Sequence, residues 1–363
     1  MVIPCFSIVI EGHGMKESED RYPFLRACRR QPTEYTPIWL MRQAGRYMKE
    51  YRALRKKYSF LAMCKNPELA AQVTLQPIEK FKLDAAIIFS DILIPLEPMG
   101  VEFEFARGEG PVFHHPLRQI EDIEKLRMIE PEEELPFLMK AIQIVRKELE
   151  GKIPLIGFSG APFTLASYII EGGHSKNYIL TKSLMYQDRP AWDALMEKIS
   201  EVLIRYLNAQ VRSGVQALQL FDSWVGCLSP GDYEEYILPY SQKIIKGVGE
   251  KVPLIHFATS SAALLDLMRQ AGGDVIGVDW RIDISEAWAR LGYDVAIQGN
   301  LDPVVLCGPV GLIEKEVKRI LDSVAGRPGH IFNLGHGILP NTPPDHVDAL
   351  VEMVHRYSSK SPA

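Results

Sequence analysis

Two periods alternate along this chain. Short apolar runs recur at PIWLM (37–41), AAIIFS (85–90), PLIGFS (154–159), ALQLF (217–221), PLIHF (253–257), VIGVD (275–279), VAIQG (295–299) and HIFNLG (330–335). Between most of them lie segments whose apolar positions fall three and four apart, such as AWDALMEKISEVLIRYLNAQV, SSAALLDLMRQAGG and GLIEKEVKRILDSVAG, bounded by Gly, Ser or Pro. Runs that are apolar throughout predict strands covered on both faces, and the period near 3.6 predicts helices between them. The stretch EPMGVEFEFARGEGPVFHHPL alternates apolar and polar residues around Gly-rich turns and predicts a hairpin after the second strand.

Eight strands with crossover helices is the number of a closed α/β barrel of the (β/α)8, or TIM, type, with PPDHVDALVEMVHRY as the helix that completes the ring. An open doubly wound sheet can also hold eight strands. The strand ends favour the barrel. They read Arg42, Asp91, Ser159 with Gly160, Asp222 with Ser223, Ala258 with Thr259, Asp279, Asn300 and His336. In a barrel these C-terminal ends meet around one cleft, where such folds place their chemistry.

Length and composition narrow the class. The 363 residues fit one barrel domain, and 47% hydrophobic with 24% charged residues supports a large core. A net charge of -5 speaks against nucleic-acid binding through bulk positive potential, so an anionic ligand has to meet local basic groups. Cys5, Cys28, Cys64, Cys227 and Cys307 are scattered, without a CxxC pair or zinc-ligand spacing, which reads as reduced thiols in a cytoplasm. No apolar run is long enough for a membrane helix. A single domain is expected over residues 15–363, and residues 1–14, which lack the form of a signal peptide, read as an extension or a mis-assigned start before Met15.

The richest segment is RQAGRY. Arg42 and Arg46 are four apart across Gly45, so both planar guanidinium groups can face one volume, suited to carboxylates or phosphates; a structural salt bridge is the alternative. Arg52, Arg55, Lys56 and Lys57 read as a solvated helix face. Asp91 ends an apolar strand, where it either pairs with an arginine or keeps a raised pKa. Asp222 and Asp279 divide evenly between structural pairing and catalysis. Tyr168, in GFSGAPFTLASYIIEGG, is either a hydrogen-bond donor in an apolar wall or a core residue. His336, between Gly335 and Gly337, stands where a ligand contact is expected over a core role.

The segments PIWLMRQAGRYMKEYRALR, FSDILIPLEPMG, GFSGAPFTLASYIIEGG, QLFDSW, QGNLDP and NLGHGILPNTP, in this order, resemble the uroporphyrinogen decarboxylase family from about Tyr22 to Tyr357. The resemblance implies a homodimer with facing mouths and no metal or organic cofactor. It implies removal of carbon dioxide from the four acetate side chains of uroporphyrinogen to give coproporphyrinogen. Carried over residue by residue, it places substrate contacts at Arg42, Gln43, Arg46, Tyr168, Ser223 and His336. It makes Asp91 the carboxylate that meets the pyrrole N–H groups, and Asp91 and Arg42 the catalytic pair. The proton donor stays open among Arg42, a carboxylic acid, water and the substrate's own carboxyl. Three rival readings each need a feature of their own. A phosphosugar-binding barrel wants a Gly-rich phosphate cradle after strands seven and eight, and GNLDP and GHG open no helix directly. Zinc methyltransferases of this fold call for an HxC pair after the fifth strand, where this chain has His256-Phe-Ala-Thr259. A tetrapyrrole carrier would bind the same ligand without needing a buried aspartate among arginines.

Overall fold

The computed structural model describes residues 21–106, 110–248 and 252–360. The expected extension over residues 1–14 lies outside them. Seven parallel strands, β1 (Ala86–Ile87), β4 (Leu155–Gly160), β5 (Ala217–Asp222), β6 (Leu254–Ala258), β7 (Val275–Gly277), β8 (Ala296–Leu301) and β9 (His330–Leu334), follow one another in that order round a curled sheet. Each crossover from β4 onward carries helix, as parallel neighbours require. The expected hairpin is present as β2 (Phe103–Ala106) and β3 (Gly110–Phe113), antiparallel with Phe103 opposite Phe113. No helix among the described residues is long and apolar enough to cross a membrane.

The first expected strand, Pro37–Met41, departs from regular pairing. It fills the gap between β9 and β1 yet forms only one parallel bridge, Ile38 to Phe332. The reason lies in who accepts its N–H groups. Pro37 has none to give; Ile38 N donates to Asp84 Oδ2 (2.8 Å), Leu40 N to Gln43 Oε1 (3.2 Å) and Met41 N to Asn333 Oδ1 (3.1 Å). Its carbonyls still reach both neighbours, through Phe332 N to Pro37 O (2.8 Å) and Asp84 N to Ile38 O (2.8 Å). Trp39 N alone keeps a ladder partner, Phe332 O (3.4 Å), so the ring closes through one backbone pairing reinforced by side chains. The second expected strand is likewise cut short, because Phe89 N turns to Thr74 Oγ1 (2.9 Å) on the helix Pro67–Lys80.

Inside the ring, Trp39, Met41, Ala85, Ile156, Ala217, Ile255, Phe257, Val275, Ala296 and Ile331 form one core cluster. Several of these are the first or second residues of their strands, and Phe24 and Leu25 of the helix Pro23–Cys28 join them, so that helix plugs the N-terminal end. Buried polar groups cross this core. Trp39 Nε1 donates to Gln298 Oε1 (2.8 Å), and Gln298 Nε2 to Gln219 Oε1 (3.0 Å). Ile87 and Phe221, only partly buried, cap the cluster from above. They are the apolar floor of what lies over it.

Asp84 is the closing knot. Its carboxylate also accepts from Tyr35 Oη (2.9 Å) and pairs with His355 Nε2 (2.8 Å) on the final helix, Pro344–Ser358. Replacing Asp84 with Ala leaves the buried Ile38 N and the part-buried Tyr35 Oη and His355 Nε2 without their partner, on two segments of the chain. The expected cost is about 3 kcal/mol in urea unfolding; a loss under about 1 kcal/mol would show that closure does not depend on this carboxylate.

Candidate active site

Above the floor, the chain turns sharply at Arg42, whose φ of +61° is a backbone state that side-chain-bearing residues adopt at a cost of about 1 kcal/mol. Ile338 N takes Met41 O (2.9 Å), anchoring the turn to the β9 end. Gly337 then becomes a requirement of the site. A Cβ there would collide with Arg42 Cδ and stand 2.6 Å from Cγ and 2.9 Å from Nε. The arginine stem lies across the bare glycine, and its direction is set by that contact.

Arg42, Asp91, Tyr168 and His336 share one electrostatic neighbourhood. Burial pushes the Asp91 carboxyl up to about 6, against the opposing pull of Leu93 N on Oδ1 (2.9 Å) and of the Arg42 charge. Burial lowers Arg42, while Asp91 and Tyr168 act the other way and Arg46 adds to the lowering. Tyr168 is raised to about 12 by burial and then by Asp91, so its phenol stays protonated. Arg42 is solvent-accessible and Asp91 partly so, yet both are desolvated by surrounding protein. Groups that water touches from one side while protein crowds the others line a recess.

His336 is held as a neutral donor. Burial first, then Arg42 and Arg281, lower it to about 4. Gly337 N donates to its Nδ1 (2.7 Å), which leaves the proton on Nε2. Tyr168 is packed on the helix Pro162–Glu171 between Phe113 of the hairpin (centroids 6.3 Å) and Trp224 (5.8 Å). The hairpin is thus a wall of the site, pinned by Phe113 N to Gly172 O (3.1 Å). Ser223, half-exposed, precedes Trp224, and its carbonyl accepts from Thr259 Oγ1 (2.6 Å).

The other polar strand ends do different work. Gln43 is 1% exposed, and its amide is occupied by Leu40 N and by Ala85 O (3.3 Å), which makes it a tie between the first segment and β1. Asp222 is fully buried on the helix side of β5, accepting from Thr164 Oγ1 (3.0 Å). Asp279 accepts from Ser260 N (2.7 Å) and pairs with Arg281, and Asn300 Nδ2 donates to Asp279 O (2.9 Å). Ser159 is buried, bonded to Gly160 O (2.8 Å). Arg52, expected on a solvated face, is exposed but donates Nη1 to Arg46 O (2.8 Å) and Tyr47 O (2.7 Å), bracing the RQAGRY turn. Phe221, Trp224, Phe113 and Arg281 were not legible as site residues. Aromatics read as core, and Arg281 stands beyond its strand end.

This arrangement combines a partly desolvated carboxylate at depth, fixed cations at the rim, neutral O–H and N–H donors between them, and aromatic walls. It suits a large polyanion with a region that becomes cationic. A sequence model described as uroporphyrinogen decarboxylase matches residues 19–357. The uroporphyrinogen decarboxylase of Carboxydothermus hydrogenoformans is 59% identical over 93% of this chain and 97% of its own. That of Sorangium cellulosum is 59% identical over 92% and 95%. Among solved structures, a methyltransferase from Methanosarcina mazei superposes with a TM-score of 0.78 over 92% of this chain and 98% of its own, at 22% identity, which shows the shared fold alone. With the family model spanning nearly all of the chain and relatives this close, the chain belongs to the uroporphyrinogen decarboxylase family, carboxy-lyases of tetrapyrrole biosynthesis.

Proposed function

We propose that this recess converts the four acetate side chains of uroporphyrinogen to methyl groups, giving coproporphyrinogen. The observation that carries this reading is Asp91: a carboxylate desolvated among cations and neutral donors, over a floor of Ile87 and Phe221. In this reading Arg42, Arg46, Tyr168, Ser223 and the Nε2–H of His336 grip carboxylates, and Asp91 faces the pyrrole N–H groups. Gln43 acts by positioning, through the backbone it ties.

The chemistry follows from the substrate's own ring. A proton added at a ring carbon turns the pyrrole into a cationic imine. The bond between the acetate methylene and its carboxylate then breaks, its electrons enter the ring as carbon dioxide leaves, and the exocyclic methylene is protonated while the ring carbon gives its proton back. Each cycle consumes one proton and releases one carbon dioxide. Asp91 stabilises the cation in surroundings where charge is weakly screened. Arg42 keeps the developing site oriented through its carboxylate contact.

The reading extends to assembly and place. Apolar side chains left exposed after Tyr178 and after β8, Ile179 (63%), Leu180 and Val304 (59%), support a homodimer. The described cysteines Cys28, Cys64, Cys227 and Cys307 are free thiols, which supports a cytoplasmic setting.

Anaerobic incubation with uroporphyrinogen, followed by chromatography, is expected to show stepwise loss of four carboxylates; a carrier leaves all eight. Asp91→Asn is expected to lower kcat by about 10²–10³. The same change is expected to raise stability at neutral pH by about 1–2 kcal/mol, because it removes a desolvated charge while its Oδ1 can still accept from Leu93 N. The sign follows from the raised pKa: between the ordinary aspartate value and about 6 the fold holds a proton the unfolded chain has lost, so stability falls as pH rises through that window. Turnover moves the opposite way, falling as pH drops below about 6, and this limb should vanish from the residual activity of Asp91→Asn.

Gly337→Ala is expected to cost about 1–3 kcal/mol by overpacking against Arg42 and to reduce turnover with it. Adding Arg42→Ala should restore most of the stability and none of the activity. Additive losses in the double variant would show that the two residues do not share the space. Sedimentation at micromolar concentration is expected to give twice the chain mass, and a monomer there would remove the dimer from the reading.

A further inference from the structure

The mouth carries a third guanidinium beyond the RQAGRY pair. Arg281 lies four residues after β7, and the glycines either side of His336 show where it stands. On one flank, Gly337 lies under the Arg42 side chain. On the other, a Cβ on Gly335 would be 2.7 Å from Trp280 N and 2.8 Å from its Cε3, so the Trp280 turn presses directly on the β9 end. Arg281 stacks on that same indole, with its guanidinium carbon 4.2 Å from the ring centroid. His336 is flanked by two cations, and both help keep it unprotonated.

The turn is preorganised. Asn300 Nδ2 donates to Asp279 O (2.9 Å) and to Ile282 O (2.7 Å), clamping both ends of the segment. The Asp279 carboxylate, 2% exposed, takes Ser260 N (2.7 Å), Arg281 N (3.1 Å) and Arg281 Nη1. That pairing uses one of the five N–H donors of the guanidinium. The Arg281 side chain remains 48% exposed, with the rest of its fork unengaged by the described residues.

We propose that Arg281 binds a carboxylate of the substrate on a pyrrole other than the one reacting, extending the row Arg42, His336, Arg281 along the β9 end. This rests on the reading of the recess as a uroporphyrinogen site. The position on the rim decides the non-reacting assignment. Arg42, the cation beside Asp91, lies over the Gly337 flank of His336, whereas Arg281 stacks on the indole that presses on the Gly335 flank, which sets Arg281 across His336 from the reacting centre. A contact made equally in the ground and transition states changes KM and leaves kcat alone.

Steady-state kinetics with uroporphyrinogen test this. Wild-type turnover is read first: no product there overturns the substrate reading and this assignment together. With wild-type turnover in hand, Arg281→Met is expected to raise KM about ten-fold with kcat within about two-fold, and Arg281→Lys to recover part of the loss. An unchanged KM in Arg281→Met, or a loss confined to kcat, overturns this assignment alone. Arg281→Met also leaves Asp279 unneutralised beside an anionic ligand, so the double variant Asp279→Asn/Arg281→Met separates repulsion from lost grip. A KM that stays raised in the double variant supports direct binding. A KM that returns to the wild-type value shows that Arg281 only neutralises Asp279, and overturns it.

Discussion

Closing a ring of parallel strands needs a last segment that bonds on both sides, and here that segment begins with Pro37 and gives most of its N–H groups to side chains. Asp84, Gln43 and Asn333 accept three of the N–H groups that a regular strand would give to its neighbours, and Trp39 N alone keeps its backbone partner, Phe332 O. Freed from a ladder, the segment can bend at its end. Met41 is held by the backbone of Ile338, and the next residue swings into the left-handed region. The barrel's closure and the placement of Arg42 are therefore one event. The strain at Arg42 is offset by packing across Gly337 and by the charge of Asp91, the groups that would lose most if the turn relaxed.

That turn brings opposite charges into a space where neither is well solvated. Desolvation raises Asp91 more than Arg42 and the Leu93 N–H lower it, so the carboxyl titrates near 6. The arginine is lowered from a value so high that it remains a cation. Tyr168 and His336 contribute donors without charge, since burial holds the phenol protonated and the imidazole neutral. The recess thus presents fixed cations and neutral donors around one carboxylate at depth, Asp91, while Asp279 at the rim is paired with Arg281.

Much of this was legible in the sequence, and the failures have causes. The apolar runs located the strands of the parallel sheet, because burial on both faces leaves an uninterrupted signal. The run at 37–41 was read as an ordinary strand because its partners, Asp84, Gln43 and Asn333, are polar residues elsewhere in the chain, and one-dimensional pattern does not reveal pairing. Arg42, Asp91 and His336 stood out as charged or titratable groups ending apolar runs. Trp224 and Phe221 did not, since an aromatic that walls a cavity has the same neighbours in sequence as one that fills a core.

The aspartates at strand ends show what a further step of sequence reasoning supplies. Along β5, Phe221 contacts the inner cluster, so Asp222 must face the surrounding helices and Ser223 inward again, by the two-residue alternation of a strand. Asp222 follows that rule. Asp222, raised to about 7 by burial, takes the Thr164 hydroxyl, and the same hydroxyl accepts Trp224 N (3.3 Å). Trp224 in turn stands edge-on to Tyr168. An acid that looks catalytic by its strand-end position instead acts from behind the wall, fixing the aromatic on which a donor of the recess leans. On β5, parity counted from the inward Phe221 separates the aspartate that holds the wall from the aromatic floor beside it.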